Sequence, residues 1–385
     1  MTVPAHDNPI LVLNSGSSSL KFGLYASGDK DEQLLLEGSA DNIGRDSGSL
    51  HIRDASGTDL LRSDHILESQ PEALAAILSA IGDTTHATPI AVGHRVVHGG
   101  PHLREHRRIT PAVLSTLEAS THFAPLHIPQ SLTLINQVEQ ALPDVPQFAC
   151  FDTAFHRTLP EVAAHLPIPT RYRDAGVIRY GFHGLSCESV VARLDPIPQR
   201  LVIAHLGNGS SITAVLNGRS VDTSMGLTPT GGIPMSTRSG DLDPGVLIYL
   251  LRSEQPQTQP PADWLEELLN HQCGLFAFSN GESDMQALLA REAANDPTAA
   301  LAIDAFCTAI RKFIGAYAAL LGGLDLLVFT GGIGQHSAAI RSRICQNLGF
   351  LGLDSESNVT PPKVLALPSQ EELQIARHTR VLLGA

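Results

Sequence analysis

Ile10-Leu-Val-Leu-Asn-Ser-Gly-Ser-Ser-Ser-Leu-Lys-Phe-Gly-Leu-Tyr25 decides the fold. Ile10 to Leu13 is a short apolar run of the kind that forms a buried strand. Ser15 to Ser19 is a Gly/Ser turn, and Leu20 to Tyr25 has the composition of a returning strand. The arrangement recurs at Leu201-Val-Ile-Ala-His-Leu-Gly-Asn-Gly-Ser-Ser-Ile-Thr-Ala-Val-Leu216. Placing Ser18, Ser19 and Leu20 on Ser210, Ser211 and Ile212 gives an offset of 192, half of the 385 residues. Two similar halves follow, each opening with a β-hairpin. The length also suits two domains.

Between and after the hairpins the periodicity turns helical. Pro71 to Ile81 and Pro111 to Phe123 start with proline in the first turn, the second behind a capping Thr110. Gln130 to Leu142 carries apolar residues at helical spacing, and Asp304 to Leu321 reads as a long buried helix. Pro89 to Val97, Gln147 to Phe151 and Leu324 to Phe329 read as strands. Thr330 to Gly334 reads as a turn, with a helix from Ser337. Ser253 to Pro261 and Ser355 to Pro362 are polar, proline-bearing loops, and Arg193 to Arg200 reads as a linker. The fold class is therefore α/β.

Composition excludes several functions. Apolar residues are 43 % and charged residues 17 %, which is ample core and no disordered chain. A net charge of −13 is the wrong sign for a nucleic-acid binder. An anionic ligand must be held by local cations and backbone amides instead. Five cysteines, scattered and without a CxxC pair, point to a reducing, cytoplasmic setting. Met1 to Pro9 lacks a basic leader pattern, and Phe313 to Leu324, the longest apolar stretch, falls short of a membrane span.

Three Gly/Ser/Asn segments follow strands: Asn14 to Ser19, Gly207 to Ser211 and Gly331 to Gly334. Glycine admits a phosphate close to the backbone, where consecutive amides and hydroxyls donate to its oxygens. Ordinary tight turns are the alternative for each loop alone. A GxxxxGK[ST] loop and a GxGxxG after the first strand are both absent, which weighs against Walker and Rossmann sites. Lys21, one of four lysines, lies just past the first loop as a point charge for phosphate or as a solvated surface residue.

Arg95, in Gly93-His-Arg-Val-Val-His-Gly-Gly100, sits among residues with strand character and needs an anionic partner. Arg238 has a similar Gly/Ser-rich setting. His94 and His98 share a strand face, but without a third ligand at metal spacing they read as structural. Asp152 ends an apolar strand, where it can organise magnesium-bound water, orient a reacting group or cap the next helix. His183, in Tyr180-Gly-Phe-His-Gly184, sits where an imidazole could stabilise developing charge, or serves as a core histidine.

Taken in order, Asn14 to Lys21, His94 to Gly100, Phe151 to His156, Arg179 to Gly184, His205 to Ser211 and the Arg238 segment resemble the acetokinase family over essentially the whole chain. That family belongs to the superfamily of acetate and sugar kinases, actin and heat-shock proteins. The resemblance implies two actin-like ATPase domains with a duplicated βββαβαβα core and an active-site cleft between them. The domains would be 1–151 plus about 371–385, and 152–370. It implies reversible phosphoryl transfer from ATP to acetate by direct in-line attack, with Mg2+ (Mn2+ as an alternative ion), in a cytoplasmic homodimer that engages neither nucleic acid nor membrane.

The resemblance also implies roles residue by residue. Asp152, His183 and Arg238 match catalytic positions, and Arg95, Val97, Leu126, Phe182 and Pro229 match the acetate-binding ones. Lys21, His205, Leu206, Gly207, Asn208, Gly209, Asp284, Met285, Gln286, Gly332, Ile333, Gly334, Gln335 and His336 match ATP-contacting positions, and Asn14 and Glu371 magnesium-associated ones. The chain departs from the family at Gln286 (usually Arg), at Gln335-His336 (usually Glu-Asn) and at Ser236 (usually Gly). The first two changes imply altered nucleotide preference or weaker ATP binding. A propionate or butyrate kinase of the same fold, or a non-catalytic ATP-gated module, are the alternatives.

Overall fold

The computed structural model describes residues 8–16, 19–27, 31–44, 47–64, 67–85, 88–254, 259–353 and 363–384. The tip of the first hairpin turn (Ser17, Ser18), most of Met1 to Pro9, the interior of the Ser253–Pro261 loop and the Ser355–Pro362 loop lie outside them. The chain divides into two units, Met1–Ala154 with Gln370–Ala385, and Phe155–Ser369. Asp152 therefore belongs with the first unit, and the division falls three residues later than the 151/152 expected from the resemblance.

The first unit is built on the strands β1 (Ile10–Ser15), β2 (Ser19–Ser27), β3 (Glu32–Asp41), β4 (Ser49–Asp54), β5 (Asp59–Asp64), β6 (Ala91–Val96), β7 (Arg107–Arg108) and β8 (Gln147–Phe151). Their order across the sheet is β5-β4-β3-β2-β1-β6-β8-β7. β1 is antiparallel to β2 and parallel to β6, which is parallel to β8. Ile10 to Leu13 are fully buried, because β1 is an inner strand of a sheet with helices packed on its faces. Leu11, Leu13, Leu20 and Phe22 pack with Leu74, Ile77 and Ile81 of the helix Gln70–Thr85 and with Leu134 and Val138 of Ile128–Ala141. Thr110 caps Pro111–Ala119 by accepting from the Val113 amide. The helix Glu371–Leu383 lies close against β6, since a Cβ on Gly93 would meet Ile375 Cγ2 at 2.7 Å.

The second unit repeats this plan with β9 (Arg200–Leu206), β10 (Ser210–Leu216), β11 (Arg219–Thr223), β12 (Leu326–Thr330) and β13 (Val364–Ala366). Their order is β11-β10-β9-β12-β13, with the same pattern of antiparallel and parallel pairs as β3-β2-β1-β6-β8. The duplication read from the two hairpins is real, and each unit is an actin-like α/β domain. The two hairpins match closely but not residue for residue at an offset of 192: Ser15 pairs with Leu20 at the end of the first and Leu206 with Ser210 at the end of the second, while Ile212 pairs with Ala204. Asn217 and Gly218, both at positive φ, make the β10–β11 turn, as an Asn-Gly hairpin demands.

Two sequence expectations change here. Helix Pro297–Leu321 starts seven residues before Asp304, where the Asp296 carboxylate accepts from the Thr298 and Ala299 amides. Gly331 to Gly334 is not a turn but the start of a helix, Gly331–His336, and Ser337 caps the next, Ala338–Cys345. At Gly331 the φ is +75°, and a Cβ would meet the Leu206 carbonyl oxygen at 2.6 Å. Only glycine lets strand pass to helix so close to β9.

Candidate active site

In the first unit the polar residues gather at the carboxyl ends of the parallel strands, where open α/β sheets bind ligands. Arg95 on β6 donates from Nε to both oxygens of Asp152 (3.2 and 3.1 Å) and from Nη2 to Oδ2 at 2.6 Å. Its Nη1 donates to Asn14 Oδ1 at 3.1 Å, and Glu371 Oε2 stands 3.8 Å from its Nε. Asn14 Nδ2 in turn donates to Glu372 Oε1 at 3.0 Å. The anionic partner demanded of Arg95 is thus Asp152, which is 1 % exposed. Burial opposes the Arg95 charge, yet Asp152, Glu371 and Glu372 together hold its guanidinium ionised beyond the ordinary arginine range.

Three carboxylates around one guanidinium leave the group with a net negative charge. Carboxylate and amide oxygens are also the hard donors that Mg2+ prefers, so the residues present fit a divalent ion. Glu372 was not anticipated. Two consecutive glutamates opening a helix were the available signal, but nothing local shows that the second one reaches Asn14. Lys21 is exposed on β2, opposite Asn14 in the β1–β2 register. Val97 is half-buried and Leu126 is exposed.

His94 and His98 are not on one strand face, because β6 ends at Val96. His94 Nε2 lies 2.7 Å from Gln147 Oε1, and His98 Nδ1 accepts from the Gly100 amide. Both act structurally.

The second unit holds a cationic and amide-rich group. The turn Gly207–Gly209 joins β9 to β10, with the Gly207 amide donating to the Gly209 carbonyl at 3.1 Å and to Ser210 Oγ at 3.2 Å. Beside it, a Cβ on Gly209 would stand 3.2 Å from His183 Nε2 and 3.3 Å from Arg238 Nη1. The imidazole and the guanidinium therefore both border this one glycine. His183 is held by Ser211 Oγ at Nδ1 (3.0 Å) and by stacking on His205, centroids 4.1 Å apart. His205 Nδ1 pairs with Ser186 Oγ at 2.8 Å. Arg238 Nη1 donates to the Pro229 carbonyl at 3.2 Å. The start of the Gly331–His336 helix is adjacent, as the Gly332 amide nitrogen lies 4.0 Å from a Cβ built on Gly207.

Ser236 acquires a place here: its amide donates to the Asn208 carbonyl (3.3 Å), and its Oγ approaches Asn208 Oδ1 (3.5 Å). Phe182 and Pro229 are buried. Asp284 caps the helix Met285–Ala293 by accepting from the Gln286 and Ala287 amides. Met285 points its side chain into the core, while Gln286 and His336 are exposed. Ile333 packs on the same core, and the Gly334 and Gln335 carbonyls accept from Arg341. Leu206 is fully buried, so at Leu206 and Met285 only backbone is left to face a ligand.

Burial lowers the pKa of His94 and of His156 to about 4. Both are neutral when folded, whereas the unfolded chain protonates them below about 6.5. Their contribution is therefore complete above pH 6.5 and lost as pH falls toward 4, because the unfolded state binds the extra protons. Denaturant unfolding between pH 7 and 4.5 should show stability dropping with acid, with a smaller pH slope in His94→Asn. An equal slope in that variant would show that His94 takes no part.

Comparison with known proteins agrees with this arrangement. A family profile described as the Acetokinase family matches residues 9–376. An acetate kinase of Rhodopseudomonas palustris is 40 % identical, with 96 % of this chain and 97 % of that one covered. A propionate kinase of Citrobacter rodentium is 41 % identical over 96 % and 95 % of the two chains. Among solved structures, the acetate kinase of Porphyromonas gingivalis superposes with a TM-score of 0.84 at 34 % identity, covering 98 % and 100 %. A propionate kinase from Francisella tularensis gives 0.88 at 34 %, covering 97 % and 100 %. With matching motifs, matching fold and a profile spanning nearly its full length, the chain belongs to the acetokinase family of phosphotransferases with a carboxyl group as acceptor.

Proposed function

We propose that the protein transfers the γ-phosphoryl group of ATP to acetate, reversibly and in line, giving ADP and acetyl phosphate. The observation that carries this reading is the placement of His183 Nε2 and Arg238 Nη1 beside Gly209 in a Gly/Ser turn. Phosphoryl transfer passes through a loose transition state whose charge spreads over the phosphoryl oxygens, so the catalyst's work is to place donors and cations around them. The Gly207–Gly209 amides, Asn208 and the adjoining Gly332 to His336 segment receive the nucleotide phosphates, with Lys21, His205 and the Asp284–Gln286 backbone as further contacts. His183 and Arg238 neutralise the group in transfer.

Arg95 receives the acetate carboxylate, and Val97, Leu126, Phe182 and Pro229 supply an apolar seat for its methyl group. A carboxylate nucleophile has no proton to lose at neutral pH. Asp152, clamped by three hydrogen bonds from Arg95, therefore orients that guanidinium rather than acting as a base. Asn14, Glu371 and Glu372 would hold Mg2+, or Mn2+ in its place, whose charge would screen the phosphate oxygens. Gln286 and His336, both exposed, supply no fixed cation to the adenosine side, which supports a relaxed donor preference.

Trapping acetyl phosphate as its hydroxamate tests the proposal: product must require acetate, nucleotide and a divalent ion together. ATP hydrolysis without acyl phosphate would overturn it in favour of an ATP-gated module. Propionate is the specific competitor, since relatives named for both acids match equally well. One methylene changes binding by only about 1–3 kcal/mol, so the ratio of kcat/KM values for the two acids decides between them.

The protein is further proposed to be a cytoplasmic homodimer, joined through the second unit. No residue of the helix Pro244–Ser253 is buried, although Val246, Ile248, Tyr249 and Leu251 lie on it. Such a concentration of exposed apolar side chains is a partner surface. Tyr249→Glu should halve the mass seen by light scattering. An unchanged mass would remove this face from the interface.

A further inference from the structure

The Phe151–His156 motif has two polar ends, and the site above uses only Asp152. His156, in the short turn Ala154–Thr158, is completely buried. Its Nδ1 lies 2.8 Å from Ser220 Oγ on β11, and its Nε2 lies 2.9 Å from the carbonyl oxygen of Phe182. A carbonyl can only accept, so Nε2 carries the proton and Nδ1 accepts from the Ser220 hydroxyl. Burial keeps the ring neutral, which fixes this tautomer.

The residues on either side of Phe182 are both in the left-handed region: Gly181 at φ +72° and His183 at φ +57°. For a non-glycine residue this conformation is unfavourable and needs outside support. His156 supplies it twice. It pins the carbonyl between the two turns, and its ring fills the space where a Gly181 Cβ would meet its Cγ and Cδ2 at 2.7 Å.

We propose that His156 is a positioning residue for phosphoryl transfer, a neutral bridge from Ser220 to the Phe182 carbonyl that holds His183 in the left-handed turn from which its Nε2 reaches Gly209. The inference rests on the functional reading above and adds to it a residue that touches neither substrate nor nucleotide.

Three variants test it. His156→Phe keeps a ring and removes both hydrogen bonds, His156→Gln restores a donor and an acceptor, and Ser220→Ala removes only the far anchor. Misplacing one catalytic group by about 1 Å costs on the order of 100-fold. His156→Phe should therefore lose about that much kcat while its KM for ATP stays within about threefold of the parent, since the Gly207–Gly209 turn is untouched. His156→Gln should recover at least tenfold of the loss, and Ser220→Ala should fall between the parent and the phenylalanine variant.

A folded His156→Phe enzyme with parental kcat overturns the proposal, as does a glutamine variant no better than phenylalanine. Should His156→Phe fail to fold, Ser220→Ala and His156→Gln decide on the same kinetic split. If the parent protein makes no acetyl phosphate, the functional reading has failed. The positioning claim is then read from the imidazole 15N signals of His183, which must shift in His156→Gln or Ser220→Ala; unchanged signals in both overturn it.

Discussion

Arg238→Ala should lower kcat/KM for acetyl phosphate formation by about 10³- to 10⁵-fold, the scale of removing an arginine that neutralises a phosphoryl group in transfer. The loss should appear mainly in kcat, because charge on the moving oxygens is greatest in the transition state. Stability should change little. The segment is held by its backbone, with the Met235 amide donating to the Arg238 carbonyl, the Leu275 amide to the Met235 carbonyl and the Cys273 amide to the Thr237 carbonyl. The guanidinium itself donates to the Pro229 carbonyl. Arg238→Lys should recover little, since a single ammonium cannot span the fork that faces Gly209 and Pro229. A thermal midpoint near the parent's together with near-parental kcat/KM would remove Arg238 from the mechanism.

Arg95→Ala is expected to damage both activity and stability, and the two effects can be separated. Removing the guanidinium leaves the Asp152 carboxylate 1 % exposed without its main counter-charge. Breaking a buried pair from one side costs about 3–5 kcal/mol. It also frees Glu371 and Glu372 to repel Asp152. The double variant Arg95→Ala/Asp152→Asn, in which the buried group is neutral, should recover most of the lost unfolding free energy. It should recover none of the activity, because the acetate carboxylate still lacks its cation. Equal instability of the single and double variants would show that Asp152 is not stranded by the loss of Arg95. Activity returning in the double variant would show that Arg95 serves only to neutralise Asp152.

These expectations differ in how far the chain's own letters supported them. The demand that Arg95 find an anion follows from its place on an apolar strand, but no local pattern names Asp152, 57 residues away in sequence, as that anion. The second carboxylate on Asn14 belongs to Glu372, 358 residues away in sequence, and no local pattern points to it. Ser236 could not be read until Asn208 was seen against it. Asp284 and Met285, read as nucleotide contacts, also serve the fold as a helix cap and a core side chain. A cap and a ligand contact draw on the same residue types, so one strand of text does not separate the two roles. Glycine-rich text makes the Gly331–Gly334 segment read as a turn, whereas the crowding of Gly331 against the Leu206 carbonyl makes glycine the only residue that can begin a helix there.

What was settled by residue order alone is whatever depends on neighbours in the chain. Two apolar strands followed by Gly/Ser turns, repeated half a chain apart, specify two like sheets and two anion-ready loops, because strand period and turn chemistry act over a few residues. Which carboxylate meets Asn14, which imidazole braces His183 and which glycine lies beneath Arg238 were decided only when distant segments packed. Hydrogen bonds and charge pairs act within a few ångströms of space, and separation along the backbone carries no measure of that distance.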